Sequence, residues 1–255
     1  MNLNLPKEIC DLIDMDNIEK VCIGCSKAEV FKINMQNRNA YLKTCKSKYE
    51  IFKQEVNLLD WLKGKINVPE VLLYIGDCNN QILIMSEIKG ENTLNLLRKS
   101  CNKELIIKNL AKGLRMIHDI DIKNCNIFQT LDVKLKEGRK NIEQKLVNFN
   151  CSKDKNYLEI ANKLESMRPE CEDLVLVHGD YCLPNIIQHN GKISGFIDWG
   201  RGGIGDRYQD IGIACRSIRT NFGDDHYVKL FLDEYGLDKY DANKIAYYIL
   251  LDELF

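Results

Sequence analysis

The sequence predicts an α+β protein of two lobes: a small β-rich N-terminal lobe, then a larger, mainly helical one. Three observations point there. Over the first ~90 residues, apolar side chains fall in short alternating runs separated by turn signals, with one helical stripe among them. Beyond about residue 100 the apolar spacing lengthens to the helical period. Between two groups of helices, a pair of strands carries the densest set of chemistry-bearing residues, at 177–200.

Taken in order, residues 8–15 read as a short amphipathic helix. Residues 21–25 and 28–33 read as strands around the turn Gly24-Cys25-Ser26-Lys27. Gln36-Asn37-Arg38-Asn39 is a second turn, and 40–44 the next strand. At 49–62, Phe52, Val56, Leu59 and Leu62 form one helical stripe, with Gly64 just past its end. Strands follow at 70–74 and 81–85. The pattern then changes. Residues 102–118 are helical, with Leu105, Leu110, Leu114 and Ile117 on the apolar side. Helices are expected at 133–149 and 155–167. Strands at 185–188 and 192–197 flank the turn His189-Asn190-Gly191, and helices resume at 206–219, 224–235 and 241–254. The lobe boundary falls near 86–90, dividing the chain into 1–88 and 89–255. A β-rich lobe joined to a helical one is the plan of a kinase, with a nucleotide expected in the cleft between them.

Composition narrows the class. Of 255 residues, 45% are hydrophobic and 29% charged, enough apolar material for a sizeable core. The formal net charge of -1 gives no general surface for a nucleic acid. No apolar run is long enough to cross a membrane. The opening Met1-Asn2-Leu3-Asn4-Leu5-Pro6-Lys7-Glu8 has no signal-peptide core, so a cytoplasmic location is expected. The 11 cysteines are odd in number and scattered, and the lone Cys22-Ile23-Gly24-Cys25 has no second pair to complete a zinc site. They are expected to be reduced thiols that pack as small apolar residues.

The chemistry centres on Val177-His178-Gly179-Asp180-Tyr181-Cys182-Leu183-Pro184-Asn185 and Gly195-Phe196-Ile197-Asp198-Trp199-Gly200. Each polar residue alone reads as a turn or cap; the joint spacing gives them another meaning. Phosphoryl transfer needs an in-line hydroxyl and cations on the phosphates. Asp180 can orient and deprotonate that hydroxyl. Asn185 and Asp198 offer hard oxygens to magnesium, and a hairpin between them would bring them together. In the small lobe, Lys43 on a strand and Glu55 on the following helix could form the ion pair that steadies a phosphate-gripping cation. Taken alone, such a pair is more often solvated, and it gains weight from the motif downstream. The turn at 24–27 could present N–H groups to phosphate oxygens. Neither G-x-G-x-x-G nor G-x-x-x-x-G-K-[ST] occurs.

Together these residues resemble the aminoglycoside 3'-phosphotransferases, bacterial antibiotic-resistance kinases with a protein-kinase-like fold. The resemblance spans nearly the whole chain and is strongest from His178 onward. It is carried by the stretches above, by Asp206-Arg207-Tyr208-Gln209-Asp210-Ile211, by the ending Leu250-Leu251-Asp252-Glu253-Leu254-Phe255, and in the first lobe by Ser26-Lys27-Ala28-Glu29-Val30, Tyr41-Leu42-Lys43 and Met85-Ser86-Glu87. It implies ATP and Mg2+ as cofactors, Asp180 as base, and Asn185 and Asp198 as metal ligands. Lys43, partnered by Glu55, would contact the nucleotide phosphates, and Ser26 would meet the β-phosphate. Ser86 to Ile88 would hold adenine. Asp252, Glu253 and the Phe255 carboxylate would bind ammonium groups of the drug, with Arg201 and Arg216 organising the acidic pocket. A polycationic substrate fits a carboxylate-rich region, to which Asp206, Asp210, Asp224 and Asp225 are also expected to contribute. Two departures stand out. Residues 146–155 are short and not acidic where the family carries an acidic loop, and Thr220 and Asn221 stand where some members carry acids. These departures favour a narrower substrate range or weaker binding, and the shortened loop suits a rival, a kinase of the same fold acting on another small alcohol, against which the retained Asp252, Glu253 and Phe255 weigh. A nucleotide-binding pseudoenzyme is the other rival, and the intact Asp180, Asn185 and Asp198 weigh against it.

Overall fold

The computed structural model describes residues 5–21, 28–46, 52–76, 80–99, 102–147, 156–237 and 239–255. Its first part is a five-stranded antiparallel sheet with one helix. After a single helical turn, α1 (Lys7–Cys10), come β1 (Glu19–Val21), β2 (Glu29–Met35), β3 (Arg38–Cys45), α2 (Lys53–Leu62), β4 (Val71–Gly76) and β5 (Gln81–Ser86). The sheet order is β1-β2-β3-β5-β4. Gln36 and Asn37 both adopt positive φ between Met35 and Arg38, the two-residue turn whose twist suits a tight hairpin. Along β3 the side chains alternate. Leu42 joins Phe31, Ile33 and Ile84 under α1, and Lys43 points the other way, toward Glu55 of α2.

The second part opens with β6 (Glu91–Asn92), α3 (Thr93–Lys99), α4 (Lys103–His118), α5 (Leu131–Glu143) and α6 (Tyr157–Ser166). Then follow β7 (Leu174–Val177), a 3-10 turn at Leu183–Asn185, β8 (Ile186–His189), β9 (Lys192–Phe196) and β10 (Gly203–Asp206). Three helices close the chain: α7 (Arg207–Phe222), α8 (Asp225–Tyr235) and α9 (Ala242–Asp252). Asp206, Asp224 and Asp241 cap them, each side chain accepting an N–H of the first turn. Gly223 and Gly236, both left-handed, end the first two.

Several expectations are corrected. α1 stops at Cys10 rather than near 15, because Ile13 instead bridges to Met35 of β2. α5 ends at Glu143, six residues before 149; Lys145 turns left-handed and the Leu146 N–H returns to the Asn141 carbonyl at 2.8 Å. On α4, Leu105 is exposed, and the apolar face runs through Ile106, Ile107, Leu110, Ala111, Leu114 and Ile117. The strand β10 was not foreseen because Gly202-Gly203-Ile204-Gly205 carries almost no side-chain pattern. A Cβ at Gly205 would lie 2.7 Å from the Gln129 carbonyl, so the closely approaching backbone of 127–129 requires glycine there.

One hydrophobic core crosses from sheet to helices. Phe52, Leu58, Leu62, Leu83 and Met85 of the first part pack in it with Leu110, Leu114, Phe196, Trp199, Ile211 and Phe231 of the second. Polar clasps reinforce it. Asn67 donates to the Ser194 carbonyl and accepts the Phe196 N–H, and Gln54 donates to the carbonyls of Gly200 and Gly202 at 3.2 and 3.3 Å. A second cluster, with Leu135, Tyr157, Leu164, Leu251 and Leu254, sits among α5, α6 and α9. The six described cysteines are free thiols; Cys45, Cys125 and Cys215 pack as expected, Cys10 and Cys182 are partly buried, and Cys171 is exposed, which corrects the expectation for that residue; Cys22 and Cys25 lie outside the described residues. Burial pushes the Cys215 thiol up to about 12. Among the described residues no helix is long and apolar enough to cross a membrane.

Candidate active site

The chain leaves β7 through Gly179, at φ 82°, where a Cβ would overlap the Arg201 carbonyl. That turn sets Asp180 at the mouth of the β8–β9 hairpin. The Asn185 amide donates at 2.9 Å to both the Asp180 carbonyl and its Oδ2. The Ile197 N–H donates to the Asn185 carbonyl at 3.0 Å, and Ile186 pairs with Phe196. Asn185 therefore ends the 3-10 turn that leads into β8, one residue later than the strand start expected at 185, and Asp198 follows β9, so the hairpin joins the two segments. Asp198 adopts φ 66°, a left-handed conformation that a non-glycine residue holds only where its surroundings enforce it.

Here Lys43 holds it. Its ammonium donates to Glu55 at 2.8 and 3.0 Å and to Asp198 Oδ1 at 2.8 Å. Burial alone would lower the lysine's pKa; Glu55 and Asp198 outweigh it and hold the group above its ordinary value. Lys43 in turn keeps the Asp198 carboxyl below the usual carboxylate range. Two readings kept apart in the sequence thus meet: the pair of a cation from β3 with its anchor on α2, and a carboxylate 155 positions after the lysine. Asp198 Oδ2 and the Asn185 amide oxygen are hard donors of the kind that hold a divalent cation.

The loop carrying Asp180 is clamped by Asp210, expected in the acidic pocket, and by residues the sequence does not single out. Asp210, fully buried on α7, accepts the backbone N–H of His178 at 2.7 Å and of Gly179 at 2.8 Å, and meets His118 Nε2 at 3.1 Å. Ser217 Oγ accepts the Leu183 N–H, and the Tyr181 hydroxyl donates to the Leu110 carbonyl at 2.7 Å. His178 is buried against Trp199, ring centroids 4.5 Å apart, with Nε2 3.0 Å from the Ile197 carbonyl. Burial holds its pKa below the ordinary 6.5, so the ring is neutral, donating from Nε2 and accepting the Asp180 N–H at Nδ1. The sequence signal for Asp210 was available: an acid among Ile211, Ile213 and Ala214 on a buried helix face.

The expected acidic pocket is thinner than its composition. Asp206 is buried as the cap of α7 and pairs with Lys244 at 2.8 Å. Asp210 serves the loop, Asp224 caps α8, and Asp225 pairs with Arg219 at 2.7 Å. Asp252 remains, bonded to Arg201 and, at 2.5 Å, to Arg216. Burial would raise its pKa, and the two guanidinium groups override that and lower it. Glu253 lines a groove of about 530 Å³ between α6 and α9, together with Asn156, Glu159, Ile160, Lys163 and Leu250. Phe255 lies with its ring 5.0 Å from the Arg201 guanidinium. Of the expected adenine contacts, the Ser86 N–H is already donated to the Glu70 carbonyl at 2.9 Å, and Ile88 packs beside Gly195. Ser26 lies outside the described residues.

Known proteins resemble this chain along its length. A sequence model of the phosphotransferase enzyme family matches residues 24–245. The aminoglycoside 3'-phosphotransferase of Niallia circulans is 37% identical over 265 residues, covering 99% of this chain and 98% of that protein. That of Enterococcus faecalis is 36% identical over 99% of both. Among solved structures, an aminoglycoside-3'-phosphotransferase of type VIII superposes with a TM-score of 0.81 at 26% identity, over 93% of this chain and 94% of that one. An aminoglycoside phosphotransferase of Streptomyces rimosus in complex with ADP and streptomycin, 23% identical, shares the fold with a TM-score of 0.78 over 93% and 92% of the two chains.

Proposed function

The chain belongs to the phosphotransferase enzyme family, and from that membership we propose that it transfers the γ-phosphoryl group of ATP to the 3'-hydroxyl of an aminoglycoside, a change that inactivates the drug. Residues 1–88 form the nucleotide-binding lobe in this reading and 89–255 the catalytic and acceptor-binding lobe. The supporting observation is the Lys43 ammonium, anchored by Glu55, reaching Asp198 at 2.8 Å beside the hydrogen-bonded Asp180–Asn185 pair.

Asp180 orients the acceptor hydroxyl and takes its proton as the oxygen attacks. The new O–P bond forms as the bond from the γ-phosphorus to the bridging oxygen breaks, and ADP leaves with that oxygen. Lys43 draws charge from the phosphates, with Glu55 fixing its position, and Ser26 would meet the β-phosphate. Asp198 and the Asn185 amide oxygen hold Mg2+, which when bound neutralises charge on the phosphates. Adenine lies along Ser86 to Ile88. Since the Ser86 N–H is taken, the Ile88 N–H and the carbonyls there are the groups that meet it. Arg201 and Arg216 set Asp252 in place, and Asp252, Glu253 and Phe255 receive the acceptor's ammonium groups.

A second reading, a less highly charged amino alcohol or sugar as acceptor, is favoured by one observation: Asp252 is already paired with two arginines. One assay separates the two. ADP release with ATP and magnesium is expected with kanamycin and not with tobramycin, which lacks the 3'-hydroxyl. Turnover of both drugs would refute 3'-transfer. Turnover of neither, with other aminoglycosides also inert, would move the assignment to the second reading.

A further inference from the structure

Lys134 is an unusual charge in the helical part. It faces inward from α5 with only 2% of its side chain exposed. Among the described residues no acceptor takes a hydrogen bond from its ammonium. The one carboxylate within 4 Å is the half-exposed Glu137, a turn further along α5, at 3.9 Å. Instead, Nζ lies 3.9 Å from the centroid of the Phe255 ring, which the Arg201 guanidinium also meets at 5.0 Å. The other charged groups facing it are Arg201, which repels it, and the more distant Asp252 on α9 and Asp210 on α7, which attract it. Burial first, then Arg201, push this lysine down to about 7.

A buried, poorly paired ammonium costs stability, and an aliphatic side chain of that length would fill the same space. The position makes sense if the charge acts on what binds next to it. We propose that Lys134 is a specificity-determining residue: its ammonium, seated against Phe255 and beside Arg201, adds positive charge to the acceptor site and weakens the binding of polycationic acceptors. The inference rests on the acceptor role given above to Asp252, Glu253 and Phe255. Lys134 is not among the groups assigned above to the acceptor hydroxyl or the nucleotide, so its charge should change acceptor KM and leave kcat and the KM for ATP alone. The effect fades as pH rises through about 7, where the ammonium loses its proton.

The test is steady-state ADP release with kanamycin by the native enzyme, Lys134→Met, Lys134→Arg and Glu253→Gln, at about pH 6 and about pH 8.5. Lys134→Met is expected to lower kanamycin KM about three- to tenfold at the lower pH, and to match the native enzyme at the higher. Lys134→Arg, which stays charged, should match the native enzyme at the lower pH and show the higher KM at the upper one. Comparing proteins at one pH cancels the titration of the drug's own amines. If the arginine variant fails to fold, Lys134→Met alone decides. Equal kanamycin KM for native and Lys134→Met at both pH values overturns the inference. Glu253→Gln tells the two failures apart: a raised kanamycin KM keeps the acceptor reading, and an unchanged one removes it.

Discussion

The Asn185 amide donates to both the backbone carbonyl and the carboxylate of Asp180, so that carboxylate, the proposed base, is held in a fixed direction before any substrate arrives. Asp180→Ala should lower kcat by on the order of 10²-fold or more while ATP still binds. A variant with near-native turnover would end its role as base. Asp198→Ala should abolish magnesium-dependent turnover and free the Lys43 ammonium to turn wholly to Glu55; titration showing native magnesium affinity would contradict the assignment. At this scale the sequence was legible where spacing encoded proximity: five positions from Asp180 to Asn185, and one hairpin to Asp198. It misled where an acid's identity was taken for its role. Asp206 and Asp210 look like their neighbours in sequence, yet both are spent inside the fold on backbone N–H groups and on Lys244.

Among elements, α7 does the most to position the site. Its Asp210 holds two consecutive N–H groups of the catalytic loop, and its Ser217 holds a third. Asp210→Asn would set an amide N–H against a backbone N–H in a buried place, an unmet pair worth about 1–3 kcal/mol. The expected result is a kcat roughly 10- to 100-fold lower with the KM for ATP little changed. Native kcat in a protein with a lowered Tm would reduce Asp210 to a structural residue. Long helices with a clear apolar stripe were readable from sequence, including α4 and α8. The short strands β6, β7 and β10 were not, because two to four residues carry too little periodicity, and in β10 close backbone approach replaces side-chain pattern with glycine.

For the whole molecule, two buried bases, His178 and Lys134, act in the same direction with pH, while the carboxyls of Glu55 and Glu172, raised by burial, act in the other. His178 is neutral in the fold, while the unfolded chain takes up a proton below about 6.5, so its share of stability is present above that pH and lost as pH falls. Lys134, lowered to about 7 against an ordinary 10.5, leaves the unfolded chain with more bound protons between those values, so stability climbs with pH there as well. Lys134→Met should therefore gain less Tm between about pH 5.5 and about pH 8.5 than the native enzyme does, and an equal gain would contradict the placement of Lys134. The two-part plan was visible in the change of apolar period near residue 90. The continuity of the core was not, since nothing in the pattern of Leu58 or Leu83 says that it shares one core with Leu110, Leu114 and Trp199. That continuity bears on how such genes diversify. A crossover near residue 88 would inherit half of one packed seam from each parent. Chimeras between relatives should therefore survive only when the side chains of α2 and β5 travel with the helices they fit, which ties residues 1–88 and 89–255 into a single unit of descent.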